Sequence, residues 1–405
     1  MAMNDLVADQ ARANALIDST AGWVVAAATF VSTFTVFGVA YSFGAFFGPM
    51  ADEFGSDRGA TALFFAITTF LYFGLGVVSG RLADIKGPRP ILLFGAVAMV
   101  LGLVITSRVQ SIWVGYLTYG LGVGIGVACA YVPMVAAVGG WFEKHRTTAL
   151  GFAVAGIGVG TLTVAPTAEW LIDTYGWRQS YVILAVLAGV LLSLAALGAR
   201  RPPLAHHQAA AAVPLRSLLS GNRVFWVLYT SILTLSVALF VPFVFLPDYV
   251  ETQQISGSAG WLIGLIGIAS VVGRLGLGAL AARIPVMHLY QGSYLVLGLS
   301  FGLWIVAGTS YGVLVVFAVV LGVAYGGFIA LAPAVCAEAF GPAGMGAMLG
   351  ALYTAAGIGG LVGPPAMGRI IDGAGYNAAL TVAMVFGLFS FAVLFLIRPE
   401  TAGRR

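Results

Sequence analysis

The sequence predicts an all-α membrane protein with twelve transmembrane helices in two parallel six-helix halves. Three observations predict this fold: the composition, the length of the apolar runs, and an internal repeat. Of the 405 residues, 60% are apolar and only 8% are charged, whereas soluble domains average about 25% charged residues. Because so few charges cannot cover a water-facing surface, we expect the chain to lie in a lipid bilayer.

The apolar runs have the length and pattern of membrane helices. Only helices and closed barrels satisfy every backbone polar group in a bilayer, and barrel strands alternate apolar with polar residues, which these runs do not. A spanning helix needs about 20 residues. Twelve such runs lie near 22–47, 59–83, 89–107, 112–138, 146–171, 179–199, 224–248, 258–283, 287–308, 312–337, 344–371 and 376–397.

The longest connection divides the chain in two. Residues 200–223, rich in Pro, Ala and Arg, separate the sixth run from the seventh. The predicted organisation is therefore a tail at 1–21, a first half at 22–199, this linker, a second half at 224–397 and a tail at 398–405.

Basic residues predict the orientation in the membrane. With both tails in the cytoplasm, fourteen of the nineteen Lys and Arg residues fall in cytoplasmic segments and four in outer loops. Cytoplasmic loops are typically enriched in Lys and Arg, so we expect both termini on the cytoplasmic side of the inner membrane. The net charge of +4 then reflects topology, and no nucleic-acid partner is expected. The nineteenth basic residue, Arg274, lies inside a span.

The two halves resemble each other at a fixed distance. Five positions of the first half recur 199 residues later: Gly158, Gly160, Pro166, Asp173 and Gly176 match Gly357, Gly359, Pro365, Asp372 and Gly375. A repeat of six spans has the same orientation in both copies, so the halves are predicted to be parallel.

A loop motif connects this pattern to a known family. The segment GRLADIKGPR at 80–89 resembles the motif between spans two and three of the major facilitator superfamily, Gly-x-Leu-Ala-Asp-x-x-Gly-Arg-Arg, with Pro88 as a departure. The resemblance implies the major facilitator fold and a gate that includes Gly80, Asp84 and Arg89. Gly80 permits close helix packing, and Asp84 can accept hydrogen bonds from a neighbouring helix N-terminus.

A narrower resemblance points to a substrate. The segment WFEKHRTTALGFAVAGIGVG at 141–160 resembles the fifth-span signature of the monocarboxylate transporter family and of the related oxalate–formate exchangers. Residues 22–47 resemble that family's first span, although residues 19–21 lack its acidic residue ahead of Gly-Trp. The resemblance implies a proton-coupled secondary transporter of small monocarboxylates such as lactate or pyruvate. Two family residues linked to proton coupling, an Asp and a Lys, are replaced by Ser270 and Ala45, so anion exchange remains an alternative.

Arg274 is the residue that best fits a binding role. A guanidinium stays charged at any working pH, and placing one near the bilayer centre costs roughly 2.5–3.5 kcal/mol. It shares its helix face with small residues such as Ser270 and Gly278, so we expect it to point into a cavity between the halves. No Asp or Glu lies at similar depth in any predicted span. We therefore expect a substrate carboxylate to be its counter-ion.

Hydroxyl groups could complete the site. Tyr325 is near the middle of its span, Tyr119 and Tyr353 lie deeper than the span ends, and Ser270 is one helical turn from Arg274. These four residues and Arg274 are the predicted substrate-binding set. Two other tyrosines are expected to be membrane-interface anchors: Tyr41 and Tyr131.

Other function classes fit the sequence less well. A facilitator-type exporter of larger amphipathic compounds would not need a single deep Arg, but it remains an alternative. No catalytic acid, nucleophile pair or metal-ligand spacing is visible, so neither an enzyme nor a cofactor is expected. The expected partners are a small monocarboxylate anion, protons and the lipid bilayer, with a monomer as the default state.

Overall fold

The computed structural model describes residues 16–203, 223–340 and 345–397. Within them the chain forms twelve long helices. They are α1 (Thr20–Phe54), α2 (Arg58–Lys86), α3 (Pro88–Thr106), α4 (Ile112–Trp141), α5 (146–175), α6 (177–198), α7 (Arg223–Thr252), α8 (Ala259–Leu280), α9 (Val286–Ala307), α10 (Tyr311–Phe340), α11 (Met345–Ala374) and α12 (Tyr376–Leu394). Most of the predicted linker and tails lies outside the described residues.

Ten stretches of the described residues are long and apolar enough to cross a membrane. One of them, Arg146–Gly198, contains both α5 and α6, which meet at Gly176. Gly176 has a φ of 76°, which residues with a Cβ rarely adopt, and the chain turns back there. Gly375 makes the corresponding turn between α11 and α12, with a φ of 81°. With α11 added, the set contains the twelve predicted helices.

The packing of the helices is the same in both halves. In the first half α1 packs on α5, α2 and α3 pack on α4, and α3 packs on α6. In the second half α7 packs on α11, α8 and α9 pack on α10, and α9 packs on α12. Each pair in the second half is the first-half pair shifted by six helices, so the halves are two parallel copies.

The halves meet along two long helix pairs, α2 with α11 and α5 with α8. In the second pair Gly158 faces Gly267, and a Cβ on Gly158 would lie 2.4 Å from the Gly267 carbonyl oxygen. Small residues let membrane helices approach this closely. The second part of α1 also packs on the second part of α7.

Buried hydroxyl groups tie α1 to its own half. Ser32 donates to the carbonyl oxygen of Ala130 on α4 at 3.0 Å, and Thr33 donates to that of Ala153 on α5 at 2.8 Å. These contacts use polar groups in helix packing, where unpaired hydroxyls would be costly.

The helix bundle has two ends, the linker side and the far side. The linker side contains the start of α1, the end of α6 and the connection between α2 and α3. The far side contains the connections at 55–57 and 253–258 and the turn at Gly375.

Candidate functional site

Arg274 lies between the two halves, and its backbone is held tightly. The Arg274 helix, α8, packs so closely on α10 that a Cβ on Gly326 would lie 2.1 Å from the Ser270 carbonyl oxygen and 2.9 Å from the Arg274 nitrogen. Its Nη1 donates to the carbonyl oxygen of Val154 on α5, in the other half, at 3.0 Å. The side chain therefore points inward and spans the boundary between the halves.

One edge of the Arg274 guanidinium is unused. The Nε and Nη2 atoms are buried and have no hydrogen-bond partner among the described residues. These two N–H groups lie side by side in the guanidinium plane, the geometry that binds a carboxylate through both oxygens. A buried charge with unpaired donors is costly, so the arrangement suits an anionic ligand.

Tyr325 lies against Arg274, as the sequence predicts. The Arg274 Cζ lies 5.9 Å from the centre of the Tyr325 ring, which is within the range of a cation–π contact. The Tyr325 hydroxyl is 3.0 Å from that of Tyr41. Tyr41 also stacks on Phe243 of α7, with ring centroids 4.3 Å apart.

The interface role predicted for Tyr41 is wrong. Its side chain is only 2% exposed and bonds to the other half in the interior. The predicted first span ends at 47, but α1 continues to Phe54 after a bend at Ser42. Tyr41 is therefore far from the end of its helix.

Tyr131 belongs to the same interior region, so the interface role predicted for it is wrong too. The Tyr131 hydroxyl lies close enough to Arg274 and to the Tyr325 hydroxyl to interact electrostatically with both. Tyr353, a predicted site residue, interacts electrostatically with both of these tyrosines. Tyr72 adds a buried hydroxyl with no hydrogen-bond partner among the described residues. The sequence analysis missed Tyr72, although its position near the middle of α2 could have indicated it.

Ser270 and Tyr119 are not brought into contact with the guanidinium. The Ser270 hydroxyl donates to the Gly267 carbonyl oxygen in its own helix at 2.7 Å. Tyr119 is fully buried within the first half, against the rings of Phe43 and Tyr181, in a π-helical segment of α4.

The predicted gate residues lie together on the linker side. Gly80 packs on Val132 of α4, where an added Cβ would lie 3.4 Å from the valine side chain. Asp84 and Arg89 are exposed, and the Asp84 carboxylate accepts no hydrogen bond from the described residues. The side chains at 345–347, at the start of α11, are outside the described set. The gate role remains a prediction.

An ionic cluster joins the two halves at the far side. Arg58 of α2 donates from Nε to Asp248 of α7 at 2.7 Å and from Nη1 to Asp372 of α11 at 3.0 Å. Tyr376 of α12 donates to Asp248 as well. We call Arg58, Asp248, Asp372 and Tyr376 the far-side seal. It links α2 of the first half to α7 and α11 of the second half.

An acid that the sequence analysis overlooked lies at the start of α1. The Asp18 carboxylate accepts hydrogen bonds from the backbone N–H groups of Lys144 and His145, each at 3.1 Å. Partial desolvation raises the pKa of Asp18, but these bonds and one from Glu143 outweigh it and lower the pKa below its ordinary value. Asp18 directly precedes residues 19–21, where the resemblance led us to expect an acid.

Two parallel six-helix halves with a cation between them define a class of protein, the major facilitator transporters. A family model described as Major Facilitator Superfamily matches residues 29–304 and 288–405. A crystal structure of a mutant of the nucleoside transporter NupG superposes with a TM-score of 0.72 and 16% identity, covering 92% of this chain and 98% of that one. At this identity the likeness concerns the fold alone.

Curated relatives place the chain more narrowly. Monocarboxylate transporter 3 of Rattus norvegicus is 30% identical over 87% of this chain and 74% of its own length. Monocarboxylate transporter 13 of the same species is 30% identical over 92% of this chain and 88% of its own length. Monocarboxylate transporter 11 of Mus musculus is 30% identical over 90% of this chain and 85% of its own length. The chain belongs to the monocarboxylate transporter family of the major facilitator superfamily. It is a multi-pass membrane transporter and not an enzyme.

Proposed function

We propose that the protein transports small monocarboxylates of the lactate and pyruvate type by alternating access, with Arg274 binding the carboxylate. The single observation that carries the proposal is the unused Nε–Nη2 edge of a buried guanidinium. A carboxylate on that edge would replace two unsatisfied donors by two charge-assisted hydrogen bonds, each stronger than a neutral one. The names of the relatives agree with an anion of this kind.

The surrounding hydroxyls support a small, oxygen-bearing substrate. Tyr325 lies beside the guanidinium, and Tyr131 and Tyr353 are close enough to interact with it or with each other. A 2-hydroxy or 2-oxo group on the substrate could bond to these hydroxyls while its carboxylate occupies Arg274. A single cation at this depth suits one carboxylate rather than two.

The proposed orientation puts the linker side in the cytoplasm and the far side outside, in the inner membrane. The excess of Lys and Arg in the linker-side segments supports it. Because the far-side seal holds the far ends of the halves together, we infer that Arg274 is reached from the cytoplasmic side in this conformation. We propose a monomer as the transporting unit.

Proton symport is the proposed coupling, and anion exchange is the second candidate. One observation favours exchange: in the described residues no carboxylate pairs with Arg274, and Ser270 bonds only to its own helix. An empty carrier would then have to reorient with an unpaired charge in its interior, which is unfavourable. A counter-transported anion would remove that cost.

The test is the entry of labelled L-lactate into proteoliposomes, comparing the parent with Arg274→Gln. We expect uptake by the parent, acceleration by an inward proton gradient, and no uptake by the variant. Tyr119→Phe, which alters a hydroxyl away from Arg274, is the matched control and should transport normally. A parent that moves neither lactate nor pyruvate would contradict the substrate assignment.

The same vesicles separate the two coupling modes. If preloading with unlabelled lactate accelerates entry and a proton gradient does not, the protein is an exchanger. If the gradient drives accumulation into empty vesicles, it is a proton symporter.

A further inference from the structure

Helices α2 and α8 both begin at the far side in contact with the opposite half. In each, a glycine of the first turn packs on a proline of that half. A Cβ on Gly59, in the first turn of α2, would lie 3.0 Å from the Pro365 carbonyl oxygen. A Cβ on Gly260, in the first turn of α8, would lie 2.7 Å from the Pro166 Cα. Pro166 and Pro365 are equivalent positions of the 199-residue repeat. The structure therefore builds one cross-half contact twice.

A carboxylate from the other half bonds to the start of α8. Glu169 of α5, close after Pro166, accepts hydrogen bonds from the Gly260 N–H at 2.9 Å and the Ala259 N–H at 3.3 Å. The Ser258 hydroxyl also donates to it. The first N–H groups of a helix have no partner within the helix and carry its positive dipole end, so an anion there is favourable.

The start of α2 also bonds to a carboxylate from the other half. Asp372 of α11, two turns after Pro365, accepts a hydrogen bond from the backbone N–H of Arg58 at 3.0 Å. It also accepts one from the Arg58 Nη1 at 3.0 Å. The two contacts lie on the two long helix pairs that join the halves, α5 with α8 and α2 with α11.

We propose that Glu169 and Asp372 are twin gating residues, and that the far side opens only when both carboxylates leave the helix starts that they bond. The proposal rests on the alternating access of the proposed function. It assigns the far side a carboxylate contact at each of the two helix starts, although the carboxylates occupy different repeat positions, because Asp372 matches Asp173 and Glu169 matches Gly368. The α8 contact acts on the helix that carries Arg274, so closure of this gate and the position of the binding cation are mechanically connected.

The chain offers a matched control for this assignment. Asp173 lies one turn beyond Glu169 on α5 and lines the same far-side cavity, of about 340 Å³. Its carboxylate accepts no hydrogen bond from the described residues. Removing its charge alters the electrostatics of the cavity without breaking a contact to a helix start.

The test measures the opening of the far side directly. In a variant with Cys129→Ala and Cys336→Ala, a reporter cysteine is placed at Ser42, which is 1% exposed and lines the far-side cavity. The labelling rate with a membrane-impermeant maleimide is compared for Glu169→Gln, Asp372→Asn, the double variant and Asp173→Asn. Thermal unfolding of each purified variant is recorded alongside.

We expect each single variant to label faster and the double variant to label roughly fivefold to thirtyfold faster than the parent, as for the loss of a helix-capping carboxylate. Asp173→Asn should stay within about twofold, the scatter expected for a surface charge. Glu169→Asp, which keeps the charge, should label more slowly than Glu169→Gln. If the double variant does not fold, the single variants decide.

Labelling at the parental rate in Glu169→Gln and Asp372→Asn would overturn the proposal, and so would an equal increase in Asp173→Asn. Because the labelling needs no transported substrate, the result is separate from the lactate test. If the gate variants label faster but the parent transports no lactate, only the substrate assignment is contradicted. If the parent transports lactate but the gate variants label at the parental rate, only the gating proposal is contradicted.

Discussion

Arg58 and Arg274 both join the two halves, but the guanidinium of Arg58 is paired with carboxylates and that of Arg274, the proposed binding residue, is not. At the far side, the Nε and Nη2 atoms of Arg58 bond to both oxygens of Asp248, at 2.7 and 3.4 Å. In the interior, the same two atoms of Arg274 have no partner among the described residues. Arg58 receives a carboxylate from its own chain, whereas Arg274 is proposed to receive one from the substrate. Asp248 on Arg58 thus illustrates the geometry proposed for the substrate.

The largest effect that would sharpen this comparison is expected for Arg274→Lys. A lysine keeps the positive charge but loses the planar two-donor edge. We expect lactate uptake to fall roughly 30-fold or more, as for the loss of a buried charge-assisted pair. Uptake is measured at several lactate concentrations, so that changes in KM and in maximal rate are separated. Near-normal uptake would show that charge alone suffices and that the edge geometry is irrelevant.

The next effect concerns Arg58→Gln, which leaves Asp248 and Asp372 without their cation. Because Arg58 is 28% exposed and shared between two carboxylates, we expect a loss of about 1–3 kcal/mol in the free energy of unfolding. Chemical unfolding in detergent measures it. Glu53→Gln, which removes only an exposed ion pair to Arg178 within one half, is the control and should cost under about 1 kcal/mol. Equal losses would contradict a special role for the far-side seal.

A smaller effect is expected for Tyr325→Phe. The change removes the hydroxyl bonded to Tyr41 and keeps the ring beside Arg274. The same hydroxyl is proposed to bond the substrate, and the loss of that hydrogen bond, about 1 kcal/mol, should raise the KM for lactate about fivefold. Tyr119→Phe should leave it unchanged. If the two variants behave alike, the tyrosines around Arg274 do not line the site.

The smallest effect is expected at Asp18, on the linker side. Hydrogen bonds from the α4–α5 connection lower the pKa of its carboxylate, so the anchoring is present above the ordinary pKa of about 4. It is lost as the pH falls through the lowered value. Hydrogen exchange at Lys144 and His145, corrected for intrinsic rates, should rise in Asp18→Asn at neutral pH. In the parent it should rise only in strong acid, and the same protection in both proteins would contradict the anchor.

The number and order of the helices could be predicted because lipid permits few alternatives. A bilayer fixes both the length and the apolar character of a spanning helix, and the repeat fixes the relation between the halves. Helix ends were less predictable. The predicted first span stops at 47, whereas α1 bends at Ser42 and continues to Phe54, because a helix can extend beyond the apolar layer.

The candidate site was predictable where a residue was unfavourable in lipid. Arg274 could be assigned to the interior because a charge facing lipid is costly, and Tyr325 followed from its depth. Tyr41 and Tyr131 could not be assigned in this way, because a tyrosine is compatible with both a membrane interface and an interior. Whether its helix face is buried depends on helices that are distant in sequence. Glu169 was missed for the same reason: its partners belong to the start of α8, some 90 residues away.

The glycine contact between α5 and α8 also determines how far each part of α8 moves when the helix tilts. Gly267 lies nine residues from Ser258 at the far end of α8 and thirteen from Leu280 at the other end. At 1.5 Å per residue, a fulcrum there has arms of about 13 and 20 Å. Arg274 lies seven residues from Gly267 on the longer arm, about 10 Å away, so a tilt that moves the Leu280 end by several ångströms displaces the guanidinium about half as far. In a carrier built in this way, one tilt of α8 changes both the opening at its end and the position of its cation.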